Sequence, residues 1–355
     1  MRRKQGRISS LPAELKATIS GFRGVVGETL TPETAVRIAE AYARFIRKGK
    51  VALARDGRPS GAMLADAVRS ALCAGGVHVI DLGVVPTPTM GVFILERGCQ
   101  GGVMITASHN PPPWNGLKFF TRRGVFLGTE DFEALMELIS EEPAYASWEK
   151  IGEMLSGEDA VGIHLDKVLR FVNAKRIRSR TMRVAIDGCR SAGSVILPRL
   201  CEALGCKVYP YDCEPDGNFT RNLEPTPAHL RAFTQFVKSS KVEVGFAVDP
   251  DADRLVLVSE KGECLSEELT LALAADHLLG KLQGPLVSNN SSSMVLEDVA
   301  ERHGRNVFRS PTGEAHVVEE MKRRRARIGG EGNGGVIVPE VHPGRDAAVG
   351  VAAIL

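Results

Sequence analysis

From residue 51 to residue 338, short β-branched runs alternate with helix-length stretches, and this restricts the chain to an α/β fold. Runs at 51–54, 77–82 and 103–106 read as strands, separated by helices over 62–74 and 87–96. An earlier helix opens at Thr31-Pro32-Glu33, an N-cap followed by proline at the first helical position. Ile38, Tyr42 and Phe45 then keep one apolar face. The pattern restarts with a strand at 183–187, a helix at 191–204 and a strand at 207–211. A helix at 228–237 and a strand at 244–248 follow, the strand running directly into Asp249. A third round alternates helices at 267–279, 294–303 and 315–325 with strands at 285–288, 307–309 and 334–338. With 355 residues the chain is long for one core. The expectation is three similar α/β domains, 1–152, 153–256 and 257–355, with mixed sheets flanked by helices and an active-site cleft between them.

Composition narrows the function classes. Apolar residues make up 43% and charged residues 25%, ordinary for a soluble globular protein, and the formal charge of +2 gives no support for a nucleic-acid partner. The one basic run, Lys322 to Arg327, reads as a solvated helix C-terminus, where cations suit the helix dipole. Seven scattered cysteines form no Cys-x-x-Cys pair, so neither a zinc site nor a disulfide framework is indicated. Reduced thiols and a cytoplasmic location are expected. The basic N-terminus lacks the apolar run of a secretory signal, and the most apolar helix, near Leu269 to Leu279, is too short to span a bilayer, so no membrane partner is expected.

Two stretches carry the chemistry. Ser108 follows an apolar strand and precedes His109-Asn110-Pro111-Pro112-Pro113. The prolines prevent a helix there and hold the hydroxyl at the carboxyl edge of a strand, where α/β sheets bind ligands. His109 is a proton carrier or a loop hydrogen bonder; Lys118 is a surface lysine or, in a closed site, a general acid or base. Asp249, Asp251 and Asp253 place three carboxylates at alternate positions after a buried strand, a cage for a hard cation if the loop curls or else a purely structural solvated turn. An EF-hand is excluded because Arg254 stands where that loop needs glycine, and Leu255 to Val258 reads as a strand. Gly329 to Gly335 is a glycine-rich loop without the lysine and hydroxyl of a P-loop; its Glu331 and Asn333 suit sugar hydroxyls or merely sit in a flexible turn. Arg23, Arg55 and Arg58 lie in turns, as bidentate phosphate ligands or partners of surface acids, and Arg58 is taken as a substrate-binding candidate.

In order and content these stretches resemble the α-D-phosphohexomutase superfamily: SGFRGVVG at 20–27, RDGRPS at 55–60, TASHNPPPWNGLKF at 106–119, DPDADR at 249–254 and GEGNGG at 330–335. The resemblance implies that Ser108 is the phosphoserine and that Asp249, Asp251 and Asp253 hold one Mg²⁺ together with an oxygen on Ser108. It further implies that Arg23, His109, Lys118 and Arg254 line the catalytic centre, and that Glu331 and Asn333 contact sugar hydroxyls. The implied reaction interconverts hexose 6-phosphate and hexose 1-phosphate through a bound 1,6-bisphosphate, with a glucose 1,6-bisphosphate-type activator to load Ser108. The phosphoglucosamine mutase type is favoured by the Glu-Gly-Asn-Gly-Gly loop, with phosphoglucomutase or phosphomannomutase close behind. A non-catalytic phosphosugar- or metal-binding remnant and a metal-dependent phosphatase are the rivals from other classes. Two departures from the family pattern stand out. The expected fourth domain, whose loop clamps the non-reacting phosphate, has no counterpart before Leu355; a homodimer, or a separate chain supplying that domain, is an expected partner. Gly335 occupies a place where some members carry histidine.

Overall fold

The computed structural model describes residues 11–355; the basic N-terminal stretch considered above lies outside the described residues. The first unit runs β1 (Lys16–Thr18), β2 (Gly21–Val25), α1 (Pro32–Ile46), β3 (Lys50–Arg55), α2 (Gly61–Ala74), β4 (His78–Val84), α3 (Thr87–Arg97), β5 (Gly101–Ile105), β6 (Trp114–Thr121), α4 (Thr129–Ser140) and β7 (Met154–Leu155). Its seven strands are ordered β1-β2-β6-β5-β3-β4-β7. Central β3 is parallel to β4 and β5, whereas β6 runs antiparallel to β5 and to β2. Strand alternation sorts β3 between two helical layers. Val51 and Leu53 share a core with Ile38, Tyr42 and Leu64, while the small Ala52 and Ala54 face Met90 and Ile94. Thr31 caps α1 as expected, its side chain accepting from the Thr34 amide.

The second unit contains α5 (Ala160–Phe171), α6 (Ala174–Arg178), β8 (Arg183–Asp187), α7 (Gly193–Ala203), β9 (Lys207–Tyr211), α8 (Arg231–Ser240), β10 (Val244–Val248) and β11 (Leu255–Ser259), with sheet order β11-β10-β8-β9. The third contains α9 (Glu268–Leu279), β12 (Leu286–Asn289), α10 (Val295–Arg302), β13 (Val307–Ser310), α11 (Glu314–Arg324), β14 (Ile328–Glu331), β15 (Gly335–Val338), β16 (His342–Arg345) and α12 (Ala347–Ile354), ordered β13-β12-β14-β15-β16. The chain therefore builds three α/β units with mixed sheets and flanking helices.

Strand pairing moves two expected divisions. Met154 and Leu155 pair in parallel with β4, so we place the first division after β7, beyond residue 152. A division between 256 and 257 would cut β11, which pairs with β10 from Leu255 to Ser259; we place it beyond Ser259. The stretch read as a glycine-rich loop is also corrected. Gly329, Gly330 and Glu331 belong to β14 and pair antiparallel with β15, leaving only 332–334 as a turn.

The units share one apolar core that runs from Phe93 through Leu165 and Leu197 to Leu271 and Val349. A polar cross-tie runs through it. The fully buried His164 of α5 meets Thr89 Oγ1 at 2.9 Å through Nδ1 and Asp346 Oδ2 at 2.7 Å through Nε2. Asp346 in turn caps α12, its Oδ1 accepting from the Ala348 amide at 2.9 Å. That cross-tie fixes the first unit against the third. Among the described residues, no helix is long and apolar enough to cross a membrane.

Candidate active site

Two strands deliver the chemistry from their carboxyl ends. β5 runs out into Thr106-Ala107-Ser108, and β10 into Asp249. Across the boundary between the two units, Ser108 Oγ donates to Asp249 Oδ2 at 2.8 Å, and both residues are buried. Ser108 adopts a left-handed backbone with φ of 50°, a conformation a serine holds only when its surroundings dictate it. Three contacts dictate it here. The Ser108 amide donates to Thr106 Oγ1 at 2.9 Å, and Thr106 Oγ1 donates to Asp56 Oδ2 at 2.6 Å. Arg58 Nη2 then donates to the Ser108 carbonyl at 2.6 Å.

The acidic loop curls for a parallel reason. Ala252 takes φ of 52°, and Asp249 Oδ1 accepts from the amides of Asp253 at 3.2 Å and Arg254 at 3.3 Å. The turn brings ligand oxygens of Asp249, Asp251 and Asp253 within 4.8 Å of one another, and all three residues are fully buried. Like charges so close repel, and burial adds to the penalty. Burial first, then Asp253 and Asp251, pushes the Asp249 carboxyl well above its usual range. Asp251 is also buried, but Lys118 Nζ at 2.7 Å and the Thr87 hydroxyl at 2.7 Å hold it well below that range. Asp251 Oδ1 and Asp253 Oδ1 are buried and accept no hydrogen bond. Buried oxygens left unpaired in a carboxylate cluster are the pattern that a hard divalent cation satisfies, so the residues present fit one.

The remaining candidates lie around the same serine and acidic loops. Arg23 Nη1 donates to Asn110 Oδ1 at 3.1 Å, and burial lowers the Arg23 pKa against the pull of Asp251 and Asp253. His109 Nδ1 lies 3.4 Å from Ser108 Oγ; burial, then Arg254, pushes its pKa down to about 4, so the ring is neutral at pH 7. Arg254 Nη1 reaches Glu224 at 3.5 Å, and its buried Nε makes no hydrogen bond but lies 3.9 Å from Asp253 Oδ1. From the third unit, Glu331 accepts from Asn289 Nδ2 at 2.7 Å and the Gly313 amide at 3.1 Å, and from Arg345 Nη1 at 2.8 Å. Asn333 Oδ1 is buried and unpaired, and the Gly334 carbonyl accepts from the Leu255 amide at 2.9 Å, pinning the hairpin turn against the acidic loop.

Arg58 is not where a substrate-binding residue belongs. It is fully buried, and each of its five guanidinium donors is taken inside the protein. Nε bonds Asp56 Oδ2 at 3.1 Å; Nη1 bonds the carbonyls of Pro111 at 3.0 Å and Trp114 at 2.9 Å; Nη2 bonds those of Ser108 and Asn110, both at 2.6 Å. No donor remains for a phosphate. Arg58 instead clasps the serine loop from behind, which the turn motif alone did not reveal. Lysine supplies three donors and no planar fork. Arg58→Lys is therefore expected to lower kcat on the order of 10²-fold through a loosened Ser108, with KM changed little. Each carbonyl left unpaired should remove about 1–3 kcal/mol of stability. Steady-state kinetics beside thermal melts check both parts.

Sequence reasoning missed Thr87, Asn289 and Arg345. Thr87 docks the acidic loop twice, its amide donating to the Asp251 carbonyl at 2.9 Å and its hydroxyl to Oδ2. None of the three stands in a motif that declares a task, because each acts through a partner distant in the chain.

A buried serine hydroxyl beside three clustered carboxylates is an arrangement that suits phosphoryl transfer. Comparison with known proteins shows the family. The family described as phosphoglucomutase/phosphomannomutase matches through three profiles, α/β/α domain I over residues 15–146, domain II over 163–262 and domain III over 267–355. A phosphoglucomutase/phosphomannomutase of Thermococcus kodakarensis is 39% identical over 344 residues, covering 94% of this chain and 75% of that protein. A probable phosphoglucosamine mutase of Methanopyrus kandleri is 35% identical over 335 residues, covering 94% of this chain and 74% of that one. The crystal structure of a putative phosphomannomutase from Thermus thermophilus superposes with a TM-score of 0.86 at 29% identity, over 96% of this chain and 80% of the other. The chain belongs to the phosphoglucomutase/phosphomannomutase family of the α-D-phosphohexomutase superfamily, enzymes of the isomerase class that work by phosphoryl transfer.

Proposed function

We propose that this phosphohexomutase interconverts hexose 6-phosphate and hexose 1-phosphate, with glucosamine phosphate as the preferred sugar. The observation that carries the reading is the 2.8 Å bond from Ser108 Oγ to Asp249 Oδ2, which sets a nucleophilic oxygen at the edge of the carboxylate cage. Ser108, once phosphorylated, gives its phosphoryl group to the free hydroxyl of the sugar phosphate. The resulting 1,6-bisphosphate reorients in the cleft, and its other phosphoryl group returns to Ser108. Asp249, Asp251, Asp253 and an oxygen on Ser108 would hold a magnesium ion, which would supply positive charge to the phosphoryl oxygens. The neutral His109 ring accepts the proton of the attacking hydroxyl. Lys118, paired with Asp251, donates as Ser108 Oγ leaves. Arg23 and Arg254 add charge at the cleft, and Glu331 and Asn333 receive sugar hydroxyls. A bisphosphate of the glucose 1,6-bisphosphate kind loads Ser108 before the first turnover.

Phosphoglucomutase or phosphomannomutase activity is the second reading, favoured by the name of the Thermococcus kodakarensis relative at 39% identity. Coupled assays on the 6-phosphates of glucosamine, glucose and mannose decide between the two by the ratio of kcat/KM values. The lead reading expects glucosamine phosphate to give the highest value. A highest value for glucose or mannose phosphate transfers the assignment to the second reading. Steady release of inorganic phosphate without isomer exchange would instead mark a phosphatase.

A further inference from the structure

We infer that Arg345 is a positioning residue coupling the sugar-side carboxylate of Glu331 to the metal ligand Asp253, and that Gly335 is matched to it by having no side chain. The inference rests on the acidic loop being the metal site. Arg345 ends β16 and is buried. Its guanidinium binds three carboxylates from three different elements. Nη2 donates to Asp253 Oδ2 at 2.6 Å, Nη1 to Glu331 Oε2 at 2.8 Å, and Nε to Glu314 Oε2 at 2.9 Å. Because the guanidinium is rigid and planar, moving one carboxylate moves the others with it. Asp253 Oδ2 is thus occupied by Arg345, and its Oδ1, which has no hydrogen-bond partner and only Arg254 Nε at 3.9 Å as an ion pair, remains the oxygen available to a cation.

The neighbouring strand confirms how closely the path is fitted. β15 pairs antiparallel with β16, and Arg345 lies opposite Ile337, two residues from Gly335 on the same strand face. A Cβ built on Gly335 would overlap Arg345 Cδ. Any side chain at 335 must displace the arginine, although the glycine itself does not occupy the left-handed region. Gly335 and Arg345 are a fitted pair, and together they join the third unit to the acidic loop of the second.

Binding of Mn²⁺ to the full chain, followed by calorimetry without substrate, tests the coupling independently of turnover. Arg345→Lys keeps the charge but loses the fork, and should weaken Mn²⁺ binding about 10–100-fold, the range for a group that orients a metal ligand. Gly335→Ala changes no polar group and should weaken it in the same direction. Glu331→Gln should weaken binding about fivefold or more in the wild-type background, but leave the Arg345→Lys protein unchanged. A bare field effect of losing one negative charge would persist in both backgrounds, and that result overturns the coupling. Wild-type affinity in Gly335→Ala overturns it as well, even if Arg345→Lys does not fold. If the wild-type chain binds no Mn²⁺, the metal-site reading fails and the inference falls with it.

Discussion

Replacing Ser108 by alanine should lower mutase turnover by at least about 10⁴-fold, the scale seen when a covalent nucleophile is removed. The expectation follows from geometry. Ser108 Oγ donates to Asp249 Oδ2 of the acidic loop at 2.8 Å. The thermodynamic signature should be small by contrast. Serine already carries the left-handed backbone cost that alanine would carry, so the loss is mainly the hydrogen bond, about 1 kcal/mol. A folded Ser108→Ala protein with intact activity would remove the nucleophile from the account. A protein that merely unfolds would show its loss in the melt, so kinetics and stability have to be read together.

The second large effect concerns the acidic loop, where two neighbouring substitutions should move stability in opposite directions. Asp249→Asn should reduce turnover about 10²- to 10³-fold, the range for losing one preorganised electrostatic group, and abolish the rise in melting temperature that Mg²⁺ gives the wild type. With metal chelated, however, the variant should be the more stable protein at pH 7. The native carboxyl of Asp249 has its pKa raised above the unfolded value, by burial and by Asp253 and Asp251. Its contribution is therefore fully present below the unfolded value, about 3.9, and is lost as pH rises through the native one. Asparagine removes that loss while keeping an acceptor for the Asp253 and Arg254 amides. Asp251→Asn is the opposite case. The native Asp251 pKa is depressed, so its stabilisation is present above the unfolded value and disappears as pH falls. Breaking its buried pair with Lys118 should destabilise the chelated protein by roughly 3–5 kcal/mol. Melts of both variants in chelator at pH 7 provide the comparison, and shifts of the same sign would contradict this electrostatic assignment.

Much of the fold was legible because these strands and helices are locally consistent. The strands β8, β9 and β10 fall at the expected residues, since each is a short run bounded by polar or turn residues. α1 begins where Thr31 and Pro32 predict. Where local signal is absent, the reading failed. β16 consists of His342, Pro343, Gly344 and Arg345, with no apolar alternation, and exists because β15 pairs with it. β14 reads as a loop in sequence because Gly329 and Gly330 carry no strand propensity, whereas strand β12 beside it and hairpin partner β15 hold them extended. β7 has two residues, too few for any periodicity.

The site divides along the same line. Ser108 and the three aspartates stand in motifs that suggest a chemistry, and the fold brings them together, with Ser108 Oγ 2.8 Å from Asp249 Oδ2. Arg58 was misassigned because a turn sequence does not disclose that all five donors will meet carbonyls and a carboxylate within the protein. Arg345 was passed over because its three partners come from positions 253, 314 and 331. Residues that act on substrate leave local patterns, while residues that hold those residues depend on long-range packing.

The central claim is that Ser108 carries the phosphoryl group in a site completed by the acidic loop. The most direct measurement is phosphopeptide mapping after incubation with glucose 1,6-bisphosphate and Mg²⁺. The account predicts one phosphate, on the peptide containing Ser108, that is transferred to added hexose phosphate and is not formed in the presence of chelator or by Asp249→Asn. A phosphate on another residue, or catalytic turnover with Ser108 never modified, would contradict it.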